Sequence, residues 1–156
     1  METNNDLKQG LFKWSAAMSV GNSVIDADHK MFLDLVNLLI LLDGDPDDLV
    51  IESAIGILEE YVQGHFYREE KAMKLMGYED YVAHRLIHEQ FKVTLGEIAK
   101  SYREGTKSAA DGLPQLVGNW LTDHIQNDDQ ACSDCFRANV VDDRPLAVLA
   151  AEEKQT

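Results

Sequence analysis

The chain has 156 residues, 45% of them hydrophobic and 27% charged, which suits one globular domain with a real core. Its 28 acidic residues against 14 basic ones leave a formal charge of −14, which repels nucleic-acid phosphates and anionic lipid head groups and excludes both as expected partners. Met1 to Gly10 carry no apolar leader, the most apolar run (Met31 to Leu42) falls short of the roughly 20 residues of a membrane span, and two cysteines cannot staple a secreted scaffold, so the expected location is cytoplasmic.

Residues 1–24 read as an irregular arm, with Phe12 and Trp14 available to pack on the helical region. The first predicted helix places Ile25, His29, Phe32, Val36 and Leu39 on one stripe and stops at Asp43-Gly44-Asp45-Pro46. The second begins near Asp47 or Asp48, aligns Ala54, Leu58, Tyr61, His65 and Glu69, and ends at Gly77. A third comes at once, with Tyr81, His84, His88, Phe91, Leu95, Ile98 and Tyr102 at steps of three and four, and ends within Arg103-Glu104-Gly105-Thr106. The fourth runs from about Ala109 or Leu113 to about Cys132, through Leu116, Val117, Trp120, Leu121 and His124. Short connections between long amphipathic helices make an all-α, up-down-up-down antiparallel four-helix bundle the expected fold, spanning 25–135. Residues 136–156 form a less ordered tail with a short helix expected around Leu146 to Glu152. There is no internal repeat, low-complexity segment or second domain.

All five histidines, His29, His65, His84, His88 and His124, fall on these inward stripes. One buried imidazole is usually an ordinary core residue, but five would each need a hydrogen-bond partner. A shared metal site satisfies them together. His84 and His88 stand at i and i+4, about 40° apart around the axis and about 6 Å along it, so both can reach one ion. His65 and Glu69 repeat that step with one nitrogen and one oxygen donor, and His124 is followed by Asp128 and Asp129. Five imidazoles with two carboxylates exceed one ion's needs and suit two bridged ions. Imidazole accepts Zn, Cu, Fe or Ni, so ligand type leaves the metal open, although a closed four-ligand structural zinc does not fit the number of donors.

Five separated stretches resemble the hemerythrins, in particular their single-domain bacterial members. They are Trp14 with Ser19-Val20-Gly21; Ile25-Asp26-Ala27-Asp28-His29-Lys30; His65-Phe66-Tyr67-Arg68-Glu69-Glu70 with Met73; His84-Arg85-Leu86-Ile87-His88-Glu89-Gln90-Phe91; and Trp120-Leu121-Thr122-Asp123-His124-Ile125-Gln126-Asn127-Asp128-Asp129. Myohemerythrin, a member of that family, is a standard example of the four-helix bundle. The resemblance implies two non-haem irons with an oxo or hydroxo bridge: His84, His88 and His124 on one, His29 and His65 on the other, and Glu69 and Asp129 across both. Helical spacing alone favours Asp128, at i+4 from His124; the family pattern, at i+5, selects Asp129 and implies a helix distortion or an off-axis reach.

The resemblance further implies reversible dioxygen binding, for storage, delivery or sensing, at the iron with two histidines. Such binding needs a dry pocket, for which Phe32, Phe66, Trp120 and Leu121 are the expected walls. The alternative is a di-iron oxidoreductase or a protein handling nitric oxide or peroxide. Its usual Glu-x-x-His pairs do not occur at these positions, and an oxygen-binding protein rather than an enzyme is the expectation. Glu70 and Glu89 read as solvated or ligand-orienting groups, and the tyrosines as packing or surface residues. Cys132-Ser133-Asp134-Cys135 has CxxC spacing without a thioredoxin-like setting and reads as incidental thiols, with a redox or metal-linked role as the alternative. A cysteine at 132 departs from the bacterial pattern, which often has an aromatic residue there.

Overall fold

The computed structural model describes residues 10–42 and 47–156. These residues are helical, with no strand among them. Helix α1 spans Ser23–Leu41, α2 Asp48–Met76, α3 Tyr81–Arg103 and α4 Leu113–His124, and a π-helical turn, Ile125–Asp129, continues α4. Two short helices complete the chain, α5 (Ser133–Arg137) and α6 (Leu146–Glu153), while single 3-10 turns lie at Ala16–Met18 and Lys107–Ala110.

Local chemistry sets these limits. Asn22 caps α1, its side chain accepting from the amides of Val24 and Ile25, and its own amide donates to the Phe136 carbonyl at 3.0 Å. Asp47 caps α2 through the Leu49 amide. The α2 terminus is a Schellman turn: Gly77 takes φ +66°, Tyr78 N–H donates to Met73 O and Gly77 N–H to Lys74 O. The same pattern ends α3 at Gly105, with Thr106 N–H on Ser101 O. The breaker cluster expected at Asp43 to Pro46, and residues 1–9 of the arm, lie outside the described residues.

Helix α2 packs against α1, α3, α5 and α6, while α1 packs against α4. Two apolar clusters result. One contains Phe32, Val36, Leu58, Phe66, Phe91, Leu95, Val117 and Leu121, and the other Val20, Ile25, Ala72, Met73, Cys132, Cys135 and Phe136. Along α1 and α3 the histidines lie between residues packed on the second cluster and residues of the first, on α2 the first cluster reaches Phe66 and the second begins at Ala72, and α4 contributes to the first alone. Phe12 secures the arm: its amide donates to Asn37 Oδ1 and its carbonyl accepts from Asn37 Nδ2, both at 2.8 Å, while its ring lies where a Cβ on Gly118 would stand.

The C-terminal segment is not a loose tail where it is helical. Leu146, Leu149 and Ala150 of α6 are buried, and α6 lies along α2 at Gly64. The fold therefore has two short helices beyond the four long ones. Among the described residues no helix is long and apolar enough to cross a membrane.

Candidate metal centre

Each ligand-type side chain is aimed inward by its helical register. The structure brings His29 from α1, His65 and Glu69 from α2, His84 and His88 from α3, His124 from α4 and Asp129 from the π-turn into one buried cluster, none more than 4% exposed. Two overlapping donor groups form, each with its donor atoms within 4.8 Å of one another: Glu69, His84, His88, His124 and Asp129 in one, His29, His65 and Glu69 in the other. In the first, His88 Nε2 lies 3.0 Å from both His84 Nε2 and His124 Nε2; in the second, His29 Nε2 lies 3.1 Å from His65 Nε2.

Both carboxylates span the groups. Glu69 Oε1 lies 2.8 Å from His65 Nε2 and Oε2 lies 3.2 Å from His88 Nε2. Asp129 Oδ1 is 3.1 Å from His124 Nε2, and Oδ2 is 3.3 Å from His29 Nε2. In an α-helix the residue at i+5 sits about 140° round the axis from i. The π-turn, with its wider i→i+5 pattern, returns Asp129 to the inward face. Asp128 instead takes the outer nitrogen of His124, its Oδ2 lying 2.9 Å from Nδ1.

The outer nitrogens define the inner ones. Nδ1 of His65, His88 and His124 meets Asp28, Glu70 and Asp128 at 2.8, 2.8 and 2.9 Å. An ionised carboxylate only accepts, so each Nδ1 carries a proton, which leaves the inward Nε2 as the atom whose lone pair would face a bound ion. Lone pairs converging at 3.0 Å repel unless a cation lies among them. Donors 3.0 Å apart at right angles stand about 2.1 Å from a shared centre, a normal metal–imidazole length. The carboxylate oxygens agree: Glu69 Oε2 and both Asp129 oxygens are buried near Nε2 atoms yet have no hydrogen bond of acceptable geometry. Proximity without a hydrogen bond is what ligand atoms around an ion show. The nitrogen and oxygen donors fit a borderline first-row ion, and neither cysteine belongs to either group.

The metal-free cluster is strongly anionic and draws protons. Burial works against a charged ring at His65, but the Glu69 and Asp28 carboxylates override it and push the imidazole up to about 10. Burial also opposes charge at His84, where Asp129, Cys132 and Glu69 prevail and push it up to about 12. Asp129 and Glu69 stay below the usual carboxylate range because the imidazoles around them outweigh the effect of burial.

Apolar and aromatic groups enclose the donors. Phe66 stacks on His88 with ring centres 3.8 Å apart, and Trp120 stacks on His124 at 4.5 Å. Phe32, Phe66, Trp120 and Leu121, together with Val62, Phe91 and Val117, line a small cavity of about 10 Å³ whose only polar wall is His65. It borders the group with two histidines.

Sequence reasoning missed Asp28, Arg68 and Cys132 as neighbours of the cluster, and left Glu70 and Glu89 open between solvated and ligand-orienting roles. Asp28 adjoins His29 in the chain yet serves His65 on another helix, so no spacing rule could reveal it. Glu70 meets His88, whereas Glu89 pairs with Lys92 at the surface. Cys132 Sγ lies 3.8 Å from His84 Nδ1, and burial raises its thiol to about 11. Arg68, 3% exposed, bonds Asp28.

Comparison with known proteins agrees with this geometry. Residues 20–132 match the family described as "Hemerythrin HHE cation binding domain". The chain is 33% identical over 124 residues to the bacteriohemerythrin of Pseudomonas paraeruginosa, covering 80% of each chain. It is 28% identical over 130 residues to that of Stenotrophomonas maltophilia (83% of this chain, 84% of the other). The bacteriohemerythrin of Methylococcus capsulatus is 30% identical over 130 residues, 82% of this chain and 98% of the relative.

Proposed function

The chain belongs to the hemerythrin family, and from that premise we propose that it binds dioxygen reversibly at two non-haem irons bridged by Glu69, Asp129 and an oxo or hydroxo group. His84, His88 and His124 would hold one iron and His29 and His65 the other. Bound there, the iron pair supplies the two electrons that dioxygen needs to bind reversibly.

The observation carrying this reading is the asymmetry of the cluster. Three imidazoles serve one donor group and two the other, both carboxylates are shared, and the apolar cavity abuts the group with fewer donors. An ion held by that smaller group would keep a free position facing a dry space. The walls do two jobs: they keep water from the open position, and they present no acid that could protonate and expel the bound molecule. The outer carboxylates Asp28, Glu70 and Asp128 hold their rings with Nε2 turned inward. Around this centre we read the four long helices as an up-down-up-down antiparallel bundle, since the order of the two apolar clusters alternates from α1 to α3 and the chain beyond α4 returns to the second cluster at Cys132.

A cavity of about 10 Å³ has room on the scale of a single water and none for an organic substrate, so only a molecule of a few atoms suits it. That size restricts the enzymatic alternative to nitric oxide or peroxide chemistry. One experiment separates the two. Aerobic protein with two irons per chain should show a visible absorption band that disappears when oxygen is removed and returns on its readmission. Irreversible bleaching with turnover of added peroxide or nitric oxide would replace the oxygen-carrier reading, and a chain without iron would end it.

A further inference from the structure

The family match ends at residue 132, yet the chain beyond it returns to the metal cluster along a single path. His65 Nδ1 donates to Asp28 Oδ2 at 2.8 Å. Arg68, one turn along α2, donates from Nη1 to that same oxygen. Its Nε–H donates to the Asp142 carbonyl at 2.8 Å and its Nη2–H to the Arg144 carbonyl. One buried guanidinium thus joins the carboxylate that orients His65 to two main-chain carbonyls of the C-terminal segment. That segment is itself seated on α2. Gly64, next to His65, has no Cβ; one placed there would overlap the Leu146 carbonyl oxygen and stand 3.0 Å from the carbonyl carbon. Lys71 holds the Asp142 carboxylate at 2.8 Å, and Gln63 bonds Glu153.

The other orienting carboxylates are held differently. Asp128 is 34% exposed, and Glu70 has Arg85, itself 55% exposed, at 4.0 Å. We infer that Arg68 is a positioning residue through which the C-terminal segment 142–153 fixes His65, and with it how firmly the two-histidine group holds its ion. The planar fork of arginine presents several N–H groups in fixed directions, so it can grip a carboxylate and two carbonyls together; a lysine ammonium cannot span all three. Holding Asp28 in place keeps the His65 proton on Nδ1 and the lone pair of Nε2 on the ion. Partners of this kind are worth about 10–100-fold in metal affinity. The inference rests on the two-ion reading of the cluster and goes beyond it, because it makes the far end of the chain a control on one ion of the pair.

The test uses full-length protein loaded anaerobically with ferrous iron and challenged with a ferrous chelator. Two variants bracket the path. Arg68→Lys retains the charge and loses the fork. Gly64→Ala leaves every group in the path intact and displaces only the seat of α6, while alanine favours α2 itself. In both, one of the two ions should leave roughly 10–100-fold faster than in the wild type, and the other at the wild-type rate. In cobalt-loaded protein the His65 Nδ1–H resonance should shift or broaden, with those of His88 and His124 unmoved. A merely structural role would accelerate both ions alike and disturb all the resonances. Equal acceleration, or unchanged rates in folded variants, overturns the inference; selective loss in Arg68→Lys but not in Gly64→Ala overturns the part assigned to the segment. If Arg68→Lys fails to fold, Gly64→Ala decides. Selective loss from a chain that holds two ions but never binds oxygen would sink the oxygen reading alone, whereas a wild-type chain that takes up fewer than two ions would overturn both.

Discussion

Adding ferrous iron anaerobically to the metal-free protein near neutral pH should release about two protons per chain from the histidine ligands and about one more from the water that becomes a hydroxo bridge. The count comes from the charges around each donor. His65, raised to about 10, and His84, raised to about 12, both carry a second proton at neutral pH, and a metal can bind only after that proton leaves. Glu69 and Asp129 lie below their usual range, are already ionised, and contribute none. His29 is raised too, the Asp129 and Glu69 carboxylates outweighing its burial. The same displacement fixes how the metal-free fold responds to pH. Because the folded value of His65 lies above its unfolded value of about 6.5, its stabilising contribution is complete below that pH and is lost as the pH climbs through about 10. At about 1.4 kcal/mol per pH unit the full effect is on the order of 5 kcal/mol. Calorimetry in buffers of different ionisation enthalpy measures the proton count, and urea midpoints of metal-free protein between about pH 6.5 and 9 measure the stability. The midpoint should fall over that range while metal affinity rises. A proton count near zero, or a metal-free midpoint that climbs with pH, would refute the reasoning.

Replacing Asp129 with alanine should drop iron below two per chain, whereas Asp128→Ala should keep two ions and loosen one by about 10–100-fold, both read by elemental analysis and chelator competition. Exchanging Leu121 for asparagine puts a polar group in the cavity wall and should hasten irreversible oxidation of the iron pair; an unchanged oxidation rate would remove the barrier role. Both thiols, raised by burial above their ordinary values, should alkylate slowly at neutral pH and still number two after aerobic incubation, and titration with a thiol reagent checks this. Gly118→Ala drives a methyl group into the Phe12 ring and should lower stability by about 1–3 kcal/mol in urea unfolding.

Much of the arrangement was legible from spacing. Histidines at 84 and 88, and the pair 65 and 69, could face one ion only on a helix, and the Gly77 stop is visible in the structure as a left-handed cap. What escaped was whatever depends on contact between helices. Asp28 points past its own neighbour to a ring on α2, and Arg68 reads as a surface charge until the Asp142 and Arg144 carbonyls are known to meet it. The seat for α6 escaped because its signal is the lack of a side chain at Gly64, which sequence alone does not distinguish from an ordinary helix glycine. Asp129 stands between these cases: regular helix geometry argued for its neighbour, and only the family pattern pointed to the position that the widened turn makes possible.

That widened turn has a cost and a location. A π-turn amounts to one residue more than a regular helix would hold between the same end points, so removing Asn127 would let α4 run on as an unbroken α-helix. In the shortened protein Asp129 would stand four residues after His124 and keep the inward face, while Asp128, three residues after it, would move away from the outer nitrogen of that ring. The extra residue is thus what lets one imidazole meet two successive aspartates, Asp129 at its inner nitrogen and Asp128 at its outer one.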